Sequence, residues 1–207
     1  MDLPSILRSL SPRLRVDGGV MLNLRVFYTL YTLVKRRKAL QTVRAQGVSS
    51  VLDLCSSQLI EQGIEGVVLD FDGVLAAHGK RTLHPEVKPW LDRLVACPSL
   101  KIAILSNNPS SLRQAFFAQH YPAIPFIRGV RKKPYPEGLF EAARVLQCPV
   151  GHLLMVDDRL LTGCLAALNA GARALWISKP YQDFFSSKCL LEIYFSCLRK
   201  LDRLMLL

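Results

Sequence analysis

The sequence predicts a doubly wound α/β fold with a Rossmann-like parallel sheet and with amphipathic helices at both ends of the chain. Two patterns favour this class. After Gly47, short apolar runs alternate with helical segments of about 10 to 13 residues, the usual scale of a βαβ crossover. The apolar runs are nearly continuous, as the strands of a parallel sheet covered on both faces must be. At 207 residues, 50% of them hydrophobic, the chain is long enough for one substantial core.

The predicted elements follow one another in that alternation. Strands are predicted at residues 66–71, 101–106, 124–127, 152–156 and 172–177. Helices are predicted between them at residues 85–97, 109–119, 136–147 and 159–170. A last amphipathic segment, residues 184–207, is expected to cover a face of the sheet or to turn its basic side towards a membrane. We divide the chain into residues 1–50, a basic arm with an amphipathic helix, and residues 51–207, the α/β domain.

The N-terminal region carries most of the excess positive charge. The chain has 27 lysines and arginines against 16 acidic residues, and residues 1–50 hold nine basic and two acidic side chains. The apolar run at residues 20–34 is too short for the ~20 residues that span a bilayer. In a helix, its polar residues would share one stripe and leave a wide apolar face: Arg25, Thr29, Thr32 and Arg36. That face fits either docking on the core of the same domain or lying in a membrane interface.

The six cysteines are scattered along the chain. They form no C-x-x-C pair, and no histidine stands at zinc-ligand spacing from them. This pattern argues against a zinc ribbon and against a dense disulfide framework. We interpret the cysteines as reduced thiols in a cytosol-like compartment.

Polar side chains follow the predicted strands at the sheet edge where open α/β domains bind ligands. In chain order, they are Asp70 and Asp72, Ser106 and Asn107, Lys133, and Asp157 and Asp158. A lone Asp-x-Asp is weak evidence, since surface turns often produce it. Four polar signals in register with four strand ends predict a ligand site, because buried charges without a ligand would be poorly compensated.

The order of these motifs resembles the four-motif signature of the haloacid dehalogenase-like (HAD) phosphatases. The matching motifs are Asp70-x-Asp72-Gly-Val, Ser106-Asn, Lys133-Pro and Asp157-Asp158. A closer similarity, at residues 59–66 and 156–162, resembles subfamily IIIA and its phosphatidylglycerophosphate phosphatases. The resemblance implies a HAD-like fold, a phosphatase activity and a phospholipid substrate.

The acidic residues suit phosphoryl transfer in their own right. Asp70 is a competent nucleophile towards phosphorus, and Asp72 can protonate the leaving alkoxide and then activate water. The metal set is expected to be Asp70, Asp72 through its backbone carbonyl, Asp158 and Asp157. A hard cation, Mg²⁺, fits these oxygen ligands.

The expected phosphate-binding residues are Ser106, Asn107 and Lys133. A hydroxyl, an amide and an ammonium can hold the phosphoryl oxygens where negative charge must be stabilised. Two alternatives remain at this level. Ser106 can be an ordinary helix N-cap, and Lys132 can be the motif lysine in place of Lys133.

One position departs from the family pattern. The fourth motif of the family reads Gly-Asp-[Gln/Arg]-x-x-Thr-Asp, and this chain has Asp157 in place of the glycine and Gly163 in place of the last acid. Loss of such an outer partner can weaken metal binding ~10–100-fold. We expect Asp157 to compensate, and Gly163→Asp to lower the Mg²⁺ requirement.

The spacing of the motifs predicts a capless, open site. Roughly 30 residues separate Asp72 from Ser106 and 26 separate Ser106 from Lys133, whereas a cap domain needs ~50 or more. An open site, a basic arm and an amphipathic helix together favour a phospholipid substrate and peripheral contact with an anionic membrane. We expect the protein on the cytoplasmic or organelle-matrix side of that membrane.

Two other functions stay open. One is a capless phosphatase for a nucleic-acid end, a phosphoprotein or a soluble ester. The other is a catalytically weakened scaffold, which only Gly163 favours. No nucleic acid is expected as a partner, because basic and aromatic residues are not interleaved around the site. No obligate protein partner is evident.

Overall fold

The computed structural model describes residues 18–207, with side chains from residue 24 onwards. At its centre five parallel strands form one sheet: β1 (Gly66–Leu69), β2 (Lys101–Leu105), β3 (Phe126–Ile127), β4 (Leu153–Asp157) and β5 (Arg173–Trp176). The strand order is β3-β2-β1-β4-β5. The chain winds outwards from β1 to β3 and then crosses back to β4 and β5, which confirms the predicted α/β class. A sheet of this kind binds ligands where the winding reverses, between β1 and β4.

Helices connect and flank these strands. The described α-helices are α1 (Gly18–Ala45), α2 (Ser56–Glu61), α3 (Val87–Val95), α4 (Ser111–His120), α5 (Glu137–Leu146), α6 (Leu165–Ala170) and α7 (Cys189–Leu204). Two short 3₁₀ turns lie at Val51–Asp53 and Val150–His152. The predicted helix at residues 159–170 is divided into a π-helical turn, Leu160–Cys164, and α6.

The sheet carries an apolar layer on each face. Side chains alternate between the faces of a strand, so neighbours in β1 enter different layers. Val67 packs with Leu91 of α3 and Phe117 of α4, whereas Val68 packs with Leu139 of α5. Because both layers are buried, β1 is apolar throughout, and its polar residues begin where the strand ends.

The helix α1 extends beyond the predicted apolar run. Its residues Leu33, Leu40 and Val43 are buried in a third cluster with side chains of the π-helical turn and α6. This part of α1 therefore packs on the α/β domain, whereas the two alternatives concern the apolar face of residues 20–34, of which only Leu33 belongs to this cluster. Residues 1–17 of the predicted arm lie outside the described residues, and the division of the chain at residue 50 stays a prediction.

Two further findings bear on the setting of the protein. Among the described helices, none combines the length and the apolar character needed to cross a membrane. All six cysteines lie in the described region, and each is a free thiol.

Candidate active site

Asp70 directly follows β1 at the carboxyl end of the central strand. Its backbone N–H donates to the carbonyl of Val156 in β4 (3.0 Å), so the ladder continues up to this residue. Gly73 then turns the chain with a φ of +83°, a conformation that favours glycine. A Cβ at position 73 would also lie 2.5 Å from Asp158 Oδ2. The Asp-x-Asp-Gly turn is thus packed closely against the residues that follow β4.

Three carboxylates meet at this edge of the sheet. Asp70, Asp157 and Asp158 each offer an oxygen within 4.8 Å of the other two. Lys133 lies beside them: its Nζ donates to Asp157 Oδ2 (2.5 Å) and stands 3.1 Å from Asp70 Oδ1. All four side chains are buried, yet Asp70 Oδ1 has no hydrogen-bond partner in the described structure. The structure therefore brings together the predicted nucleophile, the motif lysine and the acids of the fourth motif.

The electrostatics of this cluster follow from its burial. Desolvation raises the pKa of Asp70 well above its usual range, and the charges of Asp157, Asp72 and Asp158 raise it further against the opposing Lys133. Burial and the Asp157 charge raise the pKa of Asp158 to about 7. Burial opposes the charge of Lys133, but Asp157 and Asp70 outweigh it and raise the lysine pKa. The carboxylates lack sufficient positive charge, which suits a site for a divalent cation.

The loop after β2 supports the lysine. Asn107 Oδ1 accepts the backbone N–H of Lys133 (2.7 Å), and Asn107 Nδ2 donates to the Lys133 carbonyl (3.3 Å). Ser106 Oγ accepts the N–H of Asn108 (3.2 Å), whereas the N-cap of α4 is Ser110. Ser106 is therefore not the cap of this helix, and its hydroxyl lines the cavity described below. The amide of Asn107 holds the Lys133 backbone, and the residue also lines this cavity, so its binding of phosphate stays a prediction.

Lys132 and Lys133 differ in burial. Lys132 is exposed, whereas Lys133 is buried with its ammonium among the carboxylates. The peptide bond between Lys133 and Pro134 is cis. The position of the ammonium supports Lys133 as the motif lysine.

The carboxylate of Asp72 is bonded to a residue that the sequence did not reveal. Arg113 of α4 donates to both of its carboxylate oxygens, at 2.5 and 2.8 Å. The guanidinium is buried, stacks 4.0 Å from the ring centroid of Phe71, and donates from Nε to the carbonyl of Lys80 (2.9 Å). The available signal was an arginine three and four residues before Phe116 and Phe117, on the apolar side of its helix.

A second set of missed residues comes from α7. Arg199 donates to Asp158 Oδ2 (2.7 Å), and Asp202 accepts two hydrogen bonds from Arg159 (2.7 and 3.0 Å). Glu192 accepts the backbone N–H of His78 (2.8 Å) in the loop after β1. The spacing of Glu192, Arg199 and Asp202 places them on one stripe of a helix, and this regularity was the signal in the sequence.

Gly163 lies in the π-helical turn directly against Asp157. A Cβ at position 163 would overlap the Asp157 carboxylate. The acid at 157 thus occupies the space that a side chain at 163 needs, so the glycine and the acid of the family motif are exchanged as a pair. This overlap argues against the expectation that Gly163→Asp lowers the Mg²⁺ requirement, because with Asp157 present the added side chain would have to displace the Asp157 carboxylate.

A cavity of about 730 Å³ opens onto these residues. Asp70, Asp72, Ser106, Lys133 and Asp158 all line it. Further lining comes from apolar residues of the terminal helices: Val26 and Leu30 of α1, and Leu191, Leu198 and Leu201 of α7. The connection from Asp72 to Ser106 holds one helix, α3, and the connection from Ser106 to Lys133 holds one helix, α4. Neither holds a cap domain, and the terminal helices α1 and α7 flank the site instead.

The residues present fit a magnesium ion. Carboxylate oxygens are the ligands that a hard cation prefers, and Asp70 Oδ1 is a buried oxygen without a hydrogen-bond partner. The Asp72 carboxylate is engaged by Arg113, which leaves its backbone carbonyl as the expected ligand. Asp157 accepts hydrogen bonds from Lys133 Nζ and from the backbone N–H of Arg159, and it thereby holds Lys133 in place beside Asp70.

Carboxylates and a buried lysine lie together at the carboxyl ends of the central strands of this parallel sheet. This arrangement is typical of hydrolases that use acidic side chains in catalysis. The model of the haloacid dehalogenase-like hydrolase family matches residues 31–171. The chain therefore belongs to this family.

Several solved structures are similar to the chain. An uncharacterized protein from Corynebacterium glutamicum is 25% identical, covering 64% of this chain and 93% of its own length, with a TM-score of 0.45. A predicted phosphoglycolate phosphatase from Haemophilus somnus is 21% identical. The match covers 48% of this chain and 46% of the phosphatase, with a TM-score of 0.40. A cobalt-bound deoxy-D-mannose-octulosonate 8-phosphate phosphatase from Haemophilus influenzae is 20% identical. The match covers 55% of this chain and 69% of that phosphatase, with a TM-score of 0.40. No curated protein is significantly similar to the chain.

Proposed function

We propose that the chain is a Mg²⁺-dependent phosphatase that hydrolyses a phosphomonoester through a phosphorylated Asp70. The observation that carries this proposal is the buried Asp70 carboxylate beside Lys133, whose Nζ lies 3.1 Å from Asp70 Oδ1. If one oxygen of this carboxylate binds the metal ion, the other is available to an electrophile whose anionic oxygens the lysine attracts. Membership of the haloacid dehalogenase-like hydrolase family supports the same class of reaction.

The reaction takes two steps. In the first, an Asp70 oxygen attacks phosphorus, the bond from phosphorus to the ester oxygen breaks, and Asp72, once its ion pair with Arg113 has opened and it has taken up a proton from solvent, gives that proton to the leaving alkoxide. In the second, water attacks phosphorus, Asp72 takes a proton from it, and the bond between Asp70 and phosphorus breaks. Before substrate binds, Arg113 holds Asp72 as a carboxylate through two hydrogen bonds. Lys133, held by Asp157, stabilises the charge of the transferring group.

The chain's own residues would hold the metal ion. Asp70 and Asp158 offer carboxylates, and Arg199 bonds Oδ2 of Asp158 and leaves Oδ1 to the ion. When bound, Mg²⁺ neutralises negative charge on the phosphoryl oxygens.

For the substrate we propose phosphatidylglycerophosphate, hydrolysed to phosphatidylglycerol at a membrane surface. The resemblance of residues 59–66 and 156–162 to the phosphatidylglycerophosphate phosphatases supports it. So do the apolar side chains of α1 and α7 that line the cavity beside Asp70, because a substrate with acyl chains brings apolar surface to the site. We place the protein on the cytoplasmic or organelle-matrix side, peripherally attached.

A panel of substrates tests both levels of the proposal. Phosphate release is measured with Mg²⁺ from phosphatidylglycerophosphate in vesicles, from a soluble aryl phosphate, from a nucleic-acid end and from a phosphopeptide. We expect release from the lipid to be fastest, and Asp70→Asn to lower every activity by ~10³-fold or more. The matched control, Glu61→Gln, changes an exposed acid of α2 and should retain full activity.

Each part of the proposal can fail separately. Near wild-type turnover in Asp70→Asn would overturn the covalent mechanism. A faster reaction with one of the soluble substrates would overturn the lipid and keep the phosphatase. No release from any substrate would leave the scaffold as the remaining function.

A further inference from the structure

The helix α7 has the reverse of the usual amphipathic arrangement. Its charged residues Glu192, Arg199 and Asp202 are buried against the loops of the site. Several of its apolar residues face solvent, with Leu190 exposed by 78% and Leu204 by 62%. A helix on the surface of a soluble domain normally buries its apolar stripe and exposes its charges. Among the residues that the structure describes, the outer face of α7 therefore has no apolar partner.

The first half of the described part of α1 shows the same reversal. Phe27 is exposed by 71% and Val34 by 78%, whereas Thr32 is buried with its hydroxyl bonded to the carbonyl of Tyr28 (2.8 Å). Only the second half of the helix, from Leu33, contributes to the buried cluster with α6. Of the apolar face predicted for residues 20–34, much of the part described from residue 24 onwards is thus left exposed by the described residues.

The two helices adjoin. Arg37 of α1 donates to the carbonyl of Met205 (3.2 Å), and Arg44 donates to that of Arg203 (3.1 Å), at the end of α7. Both helices also line the cavity above Asp70, and their lining residues Leu30 and Leu191 are themselves exposed. The exposed apolar side chains of α1 and α7 therefore border the same opening.

The charged residues around the exposed apolar side chains of α1 and α7 indicate which kind of partner this surface can bind. The helix α1 contains no acidic residue, and the two acids of α7 are both buried. Exposed lysines accompany the apolar side chains, among them Lys35 and Lys200. A partner must offer apolar surface and negative charge together, as an anionic bilayer does. A second copy of this chain would bring the same positive charge and be repelled.

We propose that α1 and α7 together form a face that inserts into the surface of an anionic bilayer, with the opening of the active-site cavity turned towards the lipid. We call it the docking face, and its exposed apolar members include Phe27, Val34, Leu190, Ile193 and Leu204. The proposal rests on the proposed function, since a substrate held in a membrane gives such a face its purpose. It extends the contact beyond the basic N-terminal arm to the C-terminal helix.

Vesicle binding by the full chain tests the docking face. Flotation with vesicles of phosphatidylcholine and 30% phosphatidylglycerol is compared for the wild type and for Leu190→Ser/Ile193→Ser/Leu204→Ser. None of these residues lines the cavity. We expect the variant to bind roughly tenfold more weakly or worse, and to hydrolyse a soluble phosphate ester at the wild-type rate. The matched control is Leu112→Ser/Phe140→Ser/Val145→Ser, which changes three similarly exposed residues of α4 and α5 and should bind normally.

Hydrogen exchange on the wild-type protein keeps the test independent of any variant. Anionic vesicles should slow exchange in residues 24–34 and 189–204, and vesicles of phosphatidylcholine alone should slow it less. Unchanged exchange in α7, or full binding by the α7 variant, overturns the docking face. So does a dimer that the α7 substitutions dissociate while the wild type ignores vesicles.

The outcomes also separate this inference from the proposed function. A protein that hydrolyses soluble esters but does not bind vesicles overturns the docking face alone. A protein that binds vesicles through α7 but releases no phosphate from any ester overturns the proposed phosphatase alone.

Discussion

Asp70 and Asp72 are two residues apart and have opposite electrostatic surroundings. Asp70 is buried beside Asp157 and Asp158, and its pKa is raised because burial and these carboxylates disfavour its charge. Asp72 accepts two hydrogen bonds from the guanidinium of Arg113, which is itself buried. The negative charge of Asp70 thus destabilises the folded protein, whereas the charge of Asp72 neutralises the buried guanidinium of Arg113.

The two acids should therefore respond differently to the same substitution. Asp70→Asn removes a disfavoured charge and should leave the melting temperature unchanged or higher. Asp72→Asn leaves Arg113 without its anion, and breaking a buried ion pair in this way costs about 3 kcal/mol. Both variants should be inactive. Thermal unfolding of both in a chelating buffer measures the difference, and equal losses would contradict it.

The effect of Asp70→Asn should also depend on pH. Because the pKa of Asp70 is raised in the folded protein, its contribution to stability is present below the usual carboxyl pKa and is lost as pH rises through the raised value. Asparagine does not titrate. The melting temperature of Asp70→Asn should accordingly gain on that of the wild type as pH rises from about 4, the usual carboxyl pKa, towards the raised value. A gap that is constant or narrows over this range would contradict the assignment.

The pair of Asp157 and Gly163 should behave as one unit. Gly163→Asp alone forces a side chain into the space of the Asp157 carboxylate and should lower both the melting temperature and the Mg²⁺ affinity measured by calorimetry. Asp157→Gly/Gly163→Asp restores the order found in the family and should recover much of both losses. A double variant no better than the single one would show that the two positions are independent.

At the scale of elements, α7 is anchored by charges on its inner side. Asp202 is bonded to Arg159, and both are largely buried, so Asp202→Ala should cost about 3 kcal/mol in the free energy of unfolding. Leu204→Ser, two residues away on the exposed side, should stay within about 0.5 kcal/mol. Denaturant unfolding of the two variants provides the comparison. A larger loss from Leu204→Ser would mean that its side chain is covered in solution.

The sequence was informative where one element decides its own environment. The central strands β1 and β4 were predictable because a strand buried on both faces must be apolar, and the acids Asp70 and Asp158 were predictable because they follow these strands. Arg113 and Arg199 were not, since each lies on a helix distant in sequence from the carboxylate that it bonds. The mixed apolar and basic pattern of residues 184–207 does not say which side of α7 faces inwards. That depends on the buried charges already present on the loops of the site.

At the scale of the whole molecule, the N-terminal region of the chain is attached to the α/β domain by the buried side chains of α1. Leu33, Leu40 and Val43 are buried, and each aliphatic side chain contributes about 2 kcal/mol when removed from water. Deleting residues 1–45 should therefore remove roughly 6 kcal/mol from a domain whose total stability is of order 5–15 kcal/mol. We expect the truncated protein to unfold at a much lower temperature or to aggregate. Calorimetry and size-exclusion chromatography measure this, and a truncated protein with the wild-type melting temperature would contradict it.

The hydrogen bonding of the two tryptophans offers a last consequence. Trp176 donates from its indole Nε1 to the carbonyl of Asp158 (3.0 Å), whereas Trp90, the other tryptophan of the chain, donates to the carbonyl of Leu54 (3.0 Å). One indole is therefore bonded to the backbone of a candidate metal-site residue, and the other belongs to α3 and lies in the apolar core. In Trp90→Phe the remaining fluorescence comes from Trp176 alone. The protein then carries its own optical probe of the fourth motif, which responds to the state of the site without substrate, label or turnover.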